Sequence, residues 1–416
     1  MSRRTVAEPR APLLSLDEAL ARLSAGAHAH RLTQTEDVST FDALGRVLAL
    51  EVRSLLDVPP ADNTSMDGYA LRAADVAVAG ARLPVSQRIP AGVVGQPLQP
   101  GTAARIFTGA QVPPGADAVV MQEQCEAVVG DGLGAVQVNV VPAAGQWVRR
   151  RGEDVSRGDI VLRAGARLTP QALGLAASVG AATLTVLRRP RVAVFSTGDE
   201  LVMPGEPLKP GAIYNSNRFM LRGLLQAAGC EVLDLGIVPD RLDATREALR
   251  RAAEGSDLIL TSGGVSVGEE DHLRPAVLAE GELDLWQIAM KPGKPLAFGR
   301  VGQALFMGLP GNPVSSFVTF LLAVAPVLRV LQGAEGSGPA PLALRAKFDW
   351  PRPDRRREFL RVRLNAAGGL DLFPNQSSGV LTSTVWADGL VDNPASQAIA
   401  RGDTVRFLPL DSLITR

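Results

Sequence analysis

Between Pro190 and Gly333 two hydrophobic patterns take turns along the chain. RVAVFSTG (191–198), EVLDLGIV (231–238) and DLILTSGG (257–264) are short apolar runs closed by glycine or turn-forming residues. Between them NSNRFMLRGLLQAAGC (215–230) and LDATREALRRAAEG (242–255) space their leucines and alanines at helical intervals, the first from an Asn cap. Strands alternating with amphipathic helices predict a doubly wound α/β domain with a parallel sheet, about 140 residues long. The run VSSFVTFLLAVAPVLRVL, Val314 to Leu331, contains Ser315, Ser316, Pro326 and Arg329. It reads as a buried helix rather than the ~20 unbroken apolar residues of a bilayer span.

The flanks have other periods. Ser15 followed by Glu18 is a capping-box pattern that opens a helix through DEALARLSAGA. From about Asp57 to Val148 short alternating runs with frequent Gly and Pro predict a β-rich module. After the charged turn RRRGEDVSRGD come a strand-like IVLRAGARL and a helix from Pro170 to Ser178, stopped at Gly180. From Pro341 the chain returns to strands alone, LALRAKFDW, EFLRVRL, VLTSTVW and TVRFLPL, which predict a small antiparallel β-barrel or sandwich.

Composition narrows the chemistry. With 43 basic and 43 acidic residues in 416, neither nucleic acid nor a membrane is the expected partner, and any charged site must be local. Two distant cysteines and three histidines argue against a disulfide framework, a thiolate zinc site or histidine-rich metal chemistry, leaving oxygen ligands and a hard cation. The start MSRRTVAEPRAP has no apolar core behind its basic residues, so it is not a secretory signal and a cytoplasmic location is expected.

Ligands of an open parallel sheet bind beyond the carboxyl ends of its strands. Three loops follow strands directly: STGDEL (196–201), TSGGVSVGEED (261–271) and GLPGNPVSS (308–316). In the last, Pro310 and Pro313 stiffen a turn, Asn312 can adopt positive φ, and Ser315 sits near a helix N-terminus that favours an anion. The middle loop lacks the Lys-Ser/Thr pair of a phosphate-binding P-loop and carries acids instead. Asp199, Glu200, Asp257 and Asp271 flank these loops, and carboxylates so placed suit a Mg²⁺ shared with phosphate oxygens. Glu269 and Glu270 read as a solvated helix start. Nearly all positive charge is arginine, yet two of four lysines, Lys291 and Lys294, share the pentapeptide KPGKP, which suits a small oxyanion. DNTSMDGYAL, with Asp67, is by itself only a turn with an excess of acids.

Together NTSMDGYA, RIFTGA, RRRGED, STGDEL, YNSN, TSGGVSVGEED, KPGKPLAFG and GLPGNPVS, in this order, resemble the molybdopterin molybdenumtransferase family, related to the C-terminal domain of gephyrin. The resemblance covers the chain after about residue 14. It implies four units: an elongated discontinuous domain (14–56 and 152–189), a β-rich inserted domain (57–151), an α/β molybdopterin-binding domain (190–334) and a C-terminal β-barrel (335–416). It implies a homodimer whose cleft lies between subunits, so that Asp67, Thr108 and Asp154 act beside Glu200, Asp257 and Asp271. The implied reaction converts adenylylated molybdopterin and molybdate to molybdenum cofactor and AMP with Mg²⁺ held by Asp257, Asp271 and Glu200. Gly263, Gly264, Ser266, Pro310, Asn312 and Pro313 would bind the nucleotide or pterin substrate, and Lys291, Lys294, Ser315, Arg361 and Ser378 would face molybdate. Arg361 and Ser378 lie where the family pattern is followed loosely. Other proteins of the same biosynthesis are implied partners. A molybdopterin adenylyltransferase, built on a related α/β domain, and a gephyrin-like scaffold are the alternatives.

Overall fold

The computed structural model describes residues 13–265, 272–335, 338 and 340–415. Ser266 and Asp271, both expected in the site, lie outside them. The first helix, α1 (Leu16–His28), begins as its sequence predicts: the Ser15 hydroxyl accepts from the Glu18 amide at 3.2 Å while Glu18 accepts from the Ser15 amide at 2.9 Å. Its apolar face, Leu16, Ala19, Leu23 and Ala27, is buried in the core on one face of the central sheet. Thr35–Ser39 pairs antiparallel with Thr183–Leu187, and Val52–Arg53 with Ile160–Leu162, so two stretches distant in sequence close on each other. The helix α2 (Pro170–Ser178), capped by Thr169, belongs to this part.

Between these stretches lies the β-rich module, a six-stranded mixed sheet whose central strands are Gly68–Leu71, Ala103–Ile106 and Ala81–Ile89. The α/β part follows with β1 (Arg191–Thr197), α3 (Ser216–Ala227), β2 (Glu231–Val238), α4 (Leu242–Ala253), β3 (Leu258–Ser262), α5 (Leu273–Glu280), β4 (Gly281–Gln287), β5 (Pro295–Val301), β6 (Ala304–Leu309) and α6 (Pro313–Leu331). The strand order is β2-β1-β3-β6-β5-β4, the first four parallel and the last two antiparallel. Strand periodicity explains the layers. Val192 and Val194 of β1 enter the core shared with α1, α3 and α6, while Ala193 and Phe195 face α4 and α5.

The apolar run of α6 is long enough by composition to cross a membrane, but most of its length is buried inside the protein. Its turn Phe320–Val324 widens to π geometry just before Pro326, whose ring would otherwise press on the carbonyl four residues back. The last part is a closed barrel of five strands: Arg357–Leu364, Gly369–Leu372, Leu342–Ala346, Thr404–Pro409 and Gly389–Asn393, which returns to the first. It is antiparallel except between Leu342–Ala346 and Gly369–Leu372, which run parallel. Met290–Lys291, in the α/β part, adds a short parallel edge to Arg357–Glu358 of the barrel.

Candidate active site

The parallel strands β1, β2, β3 and β6 all discharge their chains at one edge, where a cleft of about 690 Å³ opens. Thr197, Gly198 and Glu200 line it after β1, Asp240 after β2, Ser262 to Val265 after β3, and Pro310 to Pro313 with Ser315 after β6. Asn215, Ser216 and Asn217 come from the start of α3, and Gly379 from the barrel. The three loops expected to converge do so. Gly263 takes φ of 91°, and a Cβ there would stand 3.1 Å from the Thr197 carbonyl, so glycine is what lets the turns after β3 and β1 close up. Asn312 keeps an extended backbone at φ −65° and serves as the N-cap of α6, where its amide makes no capping bond. Positive φ at Asn312, allowed by its residue type, is not what the turn uses.

The carboxylates redistribute. Glu200 and Asp240 both line the cleft, and Asp199 Oδ1 accepts from the Asp240 amide at 3.1 Å. Asp257 does not join them. It precedes β3, at the amino end of the sheet, and is held bidentately by Arg188 at 2.7 and 2.8 Å while accepting from the Arg191 amide at 2.8 Å. Its catalytic and metal roles are therefore corrected: an acid ahead of a parallel strand sits a strand's length from the ligand edge, and here its charge is already matched. Asp240, not singled out from sequence, takes that place because it follows β2. Among the described residues no cluster of three or more His, Cys, Asp or Glu encloses a metal-sized point. Two cleft carboxylates nevertheless fit Mg²⁺, which binds through one or two carboxylates and completes its shell with water and phosphate oxygens.

A second cluster forms where the barrel meets the start of α6. The Val314 amide donates to the Ser378 carbonyl at 3.0 Å, joining the barrel loop to the turn that carries Ser315. Arg361, 1% exposed, donates to Ser383 Oγ at 3.2 Å, the Ser377 carbonyl at 3.2 Å and the Phe359 carbonyl at 3.4 Å. Its partners here are a hydroxyl and carbonyls, and burial pulls its pKa down to about 10. In the KPGKP turn Gly293 has φ of 108°, and a Cβ there would come 2.5 Å from Thr319 Oγ1 of α6, so the turn lies directly on the helix that begins at Ser315's loop. Lys291 Nζ stands 3.3 Å from Glu358 Oε1 and 3.5 Å from Asp354 Oδ2. Glu358 is wholly buried and also accepts from Trp350 Nε1 at 2.8 Å. The Arg356 guanidinium, more than Lys291, holds the Asp354 carboxyl far below its usual range. Lys294 makes no ion pair among the described residues, and its neighbour Pro295 lines the cleft.

On the β-rich module Asp67 Oδ1 accepts from both the amide and the hydroxyl of Thr108, each at 2.7 Å. The Thr108 amide is the chief cause of a lowered Asp67 pKa. Arg105 lies over the rings of Phe107 and Tyr69 at 4.7 and 5.2 Å. Asp154 is exposed, its amide donating to the Val58 carbonyl at 3.0 Å. Asp67 and Thr108 are thus brought to each other, but neither they nor Asp154 line the cleft of their own chain.

Known proteins resemble this chain over most of its length. The molybdopterin molybdenumtransferase of Haemophilus influenzae is 44% identical over 92% of this chain and 95% of its own, and that of Bacillus subtilis 36% identical over 96% and 95%. The chain belongs to the molybdopterin molybdenumtransferase family. Family regions match in order: the MoeA N-terminal region (domain I and II) at residues 14–180, a probable molybdopterin binding domain at 193–330, and the MoeA C-terminal region (domain IV) at 343–410. A crystal structure of the molybdopterin biosynthesis moeA protein from Pyrococcus horikoshii OT3 superposes with a TM-score of 0.80 at 30% identity, covering 95% of this chain and 99% of that one. In this family member all but Gly379 of the residues lining the cleft fall within the region matched to the probable molybdopterin binding domain.

Proposed function

We propose that this chain is a molybdenum insertion enzyme that converts adenylylated molybdopterin and molybdate to molybdenum cofactor and AMP. One observation carries the reading: a glycine turn with two carboxylates beside it adjoins, through Pro313 to Ser315, a junction holding a buried arginine that pairs with no carboxylate among the described residues. The first suits a phosphoanhydride with its cation, the second a small oxyanion. Gly263, Gly264, Pro310, Asn312 and Pro313 form the turn surfaces against which the substrate would lie, with Ser262 contributing a hydroxyl. Glu200 and Asp240 would hold Mg²⁺, with Asp271 completing the set as an expectation from the sequence. Bound there, Mg²⁺ would offset anhydride charge as AMP departs. Ser315, Ser378, Arg361 and Lys294 would seat molybdate, Lys291 contributing less because Glu358 and Asp354 already face it.

Asp67, Thr108 and Asp154 take part across a homodimer, the β-rich module of one subunit covering the cleft of the other. The proposed units remain 14–56 with 152–189, 57–151, 190–334 and 335–416, α1 packing on the α/β sheet while the ladders at Thr35–Ser39 and Thr183–Leu187 hold the first unit together. A cytoplasmic site of action agrees with two free cysteines. AMP release from adenylylated molybdopterin should require both molybdate and Mg²⁺; a folded dimer that releases none would sink the reading. Mixing Asp67→Asn subunits with Glu200→Gln subunits should restore part of the activity each has lost, and no restoration in mixed dimers would refute the shared cleft.

A further inference from the structure

Most buried polar groups find a partner, so the exceptions ask for an explanation. Two of the exceptions, Asn215 Nδ2 and Asn217 Oδ1, belong to residues that line the cleft, on either side of Ser216. Both residues are nearly inaccessible, Asn215 at 2% and Asn217 at 8% exposure. The orientation of each amide is fixed by the bond it does make. Asn215 Oδ1 accepts from the Arg218 amide at 3.1 Å, which only an oxygen can do, so its nitrogen is the free atom. Asn217 Nδ2 donates to the Gly311 carbonyl at 2.7 Å, which only a nitrogen can do, so its oxygen is free. Asn215 is the N-cap of α3, outside the helix proper, and Asn217 reaches across to the turn after β6. Among the described residues these two, both lining the cleft, thus leave one amide donor and one amide acceptor unpaired.

A phosphate, all acceptors, would satisfy the nitrogen and repel the oxygen; a cation would do the reverse. A ligand that meets both carries ring acceptors and N–H donors on one rim. We propose that Asn215 and Asn217 read the rim of the substrate's heterocycle, Asn215 Nδ2 donating to a ring acceptor and Asn217 Oδ1 accepting from an N–H. Two parts of the proposed substrate have such a rim, the pterin and the adenine, and to that extent the inference rests on the proposed function.

Asn215 permits a test that separates this role from helix capping. Asn215→Ser and Asn215→Asp both keep a capping oxygen and both lose the amide Nδ2 donor, one without adding charge, and the shorter serine hydroxyl is occupied by the cap. Binding of AMP and of 6-hydroxymethylpterin should be measured separately by calorimetry on the wild-type protein and both variants, with thermal unfolding alongside. The expected result is that one probe loses about 10- to 100-fold in affinity in both variants, the other stays within about twofold, and the unfolding midpoint holds. The probe that weakens identifies the ring. Wild-type affinity for both probes in the variants, equal loss of both, or no binding of either to the wild-type protein would overturn the proposal. If serine alone lowers the midpoint, the aspartate variant decides by the same criteria. Failure of AMP release in the wild-type protein would defeat the proposed reaction but leave these binding results standing.

Discussion

Arg357 and Arg361 stand four residues apart on one barrel strand and are treated in opposite ways. Arg357 grips Asp392 with two bonds of 2.6 and 2.7 Å, and Asp392, only 3% exposed, is shared with Arg406 at 3.2 Å. Arg361 is more deeply buried yet among the described residues its guanidinium meets only carbonyls and a hydroxyl. Burying a guanidinium without a counter-charge is costly, and burial shows in its lowered pKa. With Asp17 also 3.1 Å from Arg357, this end of the strand sets two carboxylates against two arginines and serves the fold. The other keeps an unmatched positive charge beside Ser378 and the start of α6, which is the condition for holding an anion supplied from outside.

The largest effect should come from breaking the matched end. Asp392→Ala leaves Arg357 and Arg406 without their carboxylate and should cost about 3–5 kcal/mol in urea unfolding. At the unmatched end, Arg361→Met should leave stability within about 1 kcal/mol of wild type or raise it, because an unpaired buried charge is replaced by apolar volume. It should lower molybdate affinity about 100-fold by calorimetry. A drop in stability comparable to that of Asp392→Ala would erase the distinction between the two ends. Lys294→Ala should weaken molybdate about tenfold, and Lys291→Ala less, since its charge is already shared with Glu358 and Asp354. Equal losses would show that the internal carboxylates do not diminish Lys291.

A smaller effect is expected of pH at the Asp67–Thr108 contact. The folded protein holds the Asp67 pKa below its ordinary value, chiefly through the Thr108 amide. The stabilisation is therefore complete above the unfolded-state value of about 3.9 and fades as pH falls through the lower folded-state value. Asp67→Asn, which removes the titrating carboxyl, should flatten the part of the acid-unfolding curve lying below about pH 4; an unchanged curve would remove the contact from consideration. Smallest of all, Cys230, whose thiol burial pushes to about 12, should resist thiol reagents at neutral pH until the chain unfolds.

Periodicity was enough for the parallel strands, the two faces of the sheet and the long buried helix, because each is written locally in residues of one element. The cleft was legible for a related reason: strand direction determines where a following loop emerges, so STGDEL, TSGG and GLPGNP had to meet. The same rule, applied to Asp257, places it at the wrong end, since it precedes its strand; Asp240 follows one and was readable on that ground alone. What local pattern cannot carry is pairing between distant charges. Nothing near Lys291 in sequence announces that Glu358 and Asp354 will face it, nor does the row of leucines in α1 say that its burial lies against α6. The Asp67–Thr108 pair was legible only as motif resemblance, because both residues sit in turns whose composition is ordinary.

The two-residue edge formed by Met290–Lys291 on the barrel also bears on how this chain could be taken apart. A fragment ending near residue 334 would contain the glycine turn, both cleft carboxylates and all of KPGKP, and by sequence would pass for a self-sufficient nucleotide-binding unit. It would lack Arg357 and Glu358, on which that turn is strung, and the Ser378 carbonyl that ties down the start of α6. The proposed oxyanion junction is thus a seam between the α/β part and the barrel rather than the property of either. Shuffling the barrel between relatives would replace one wall of it, whereas shuffling the α/β unit would carry the cleft loops but leave Gly379 behind.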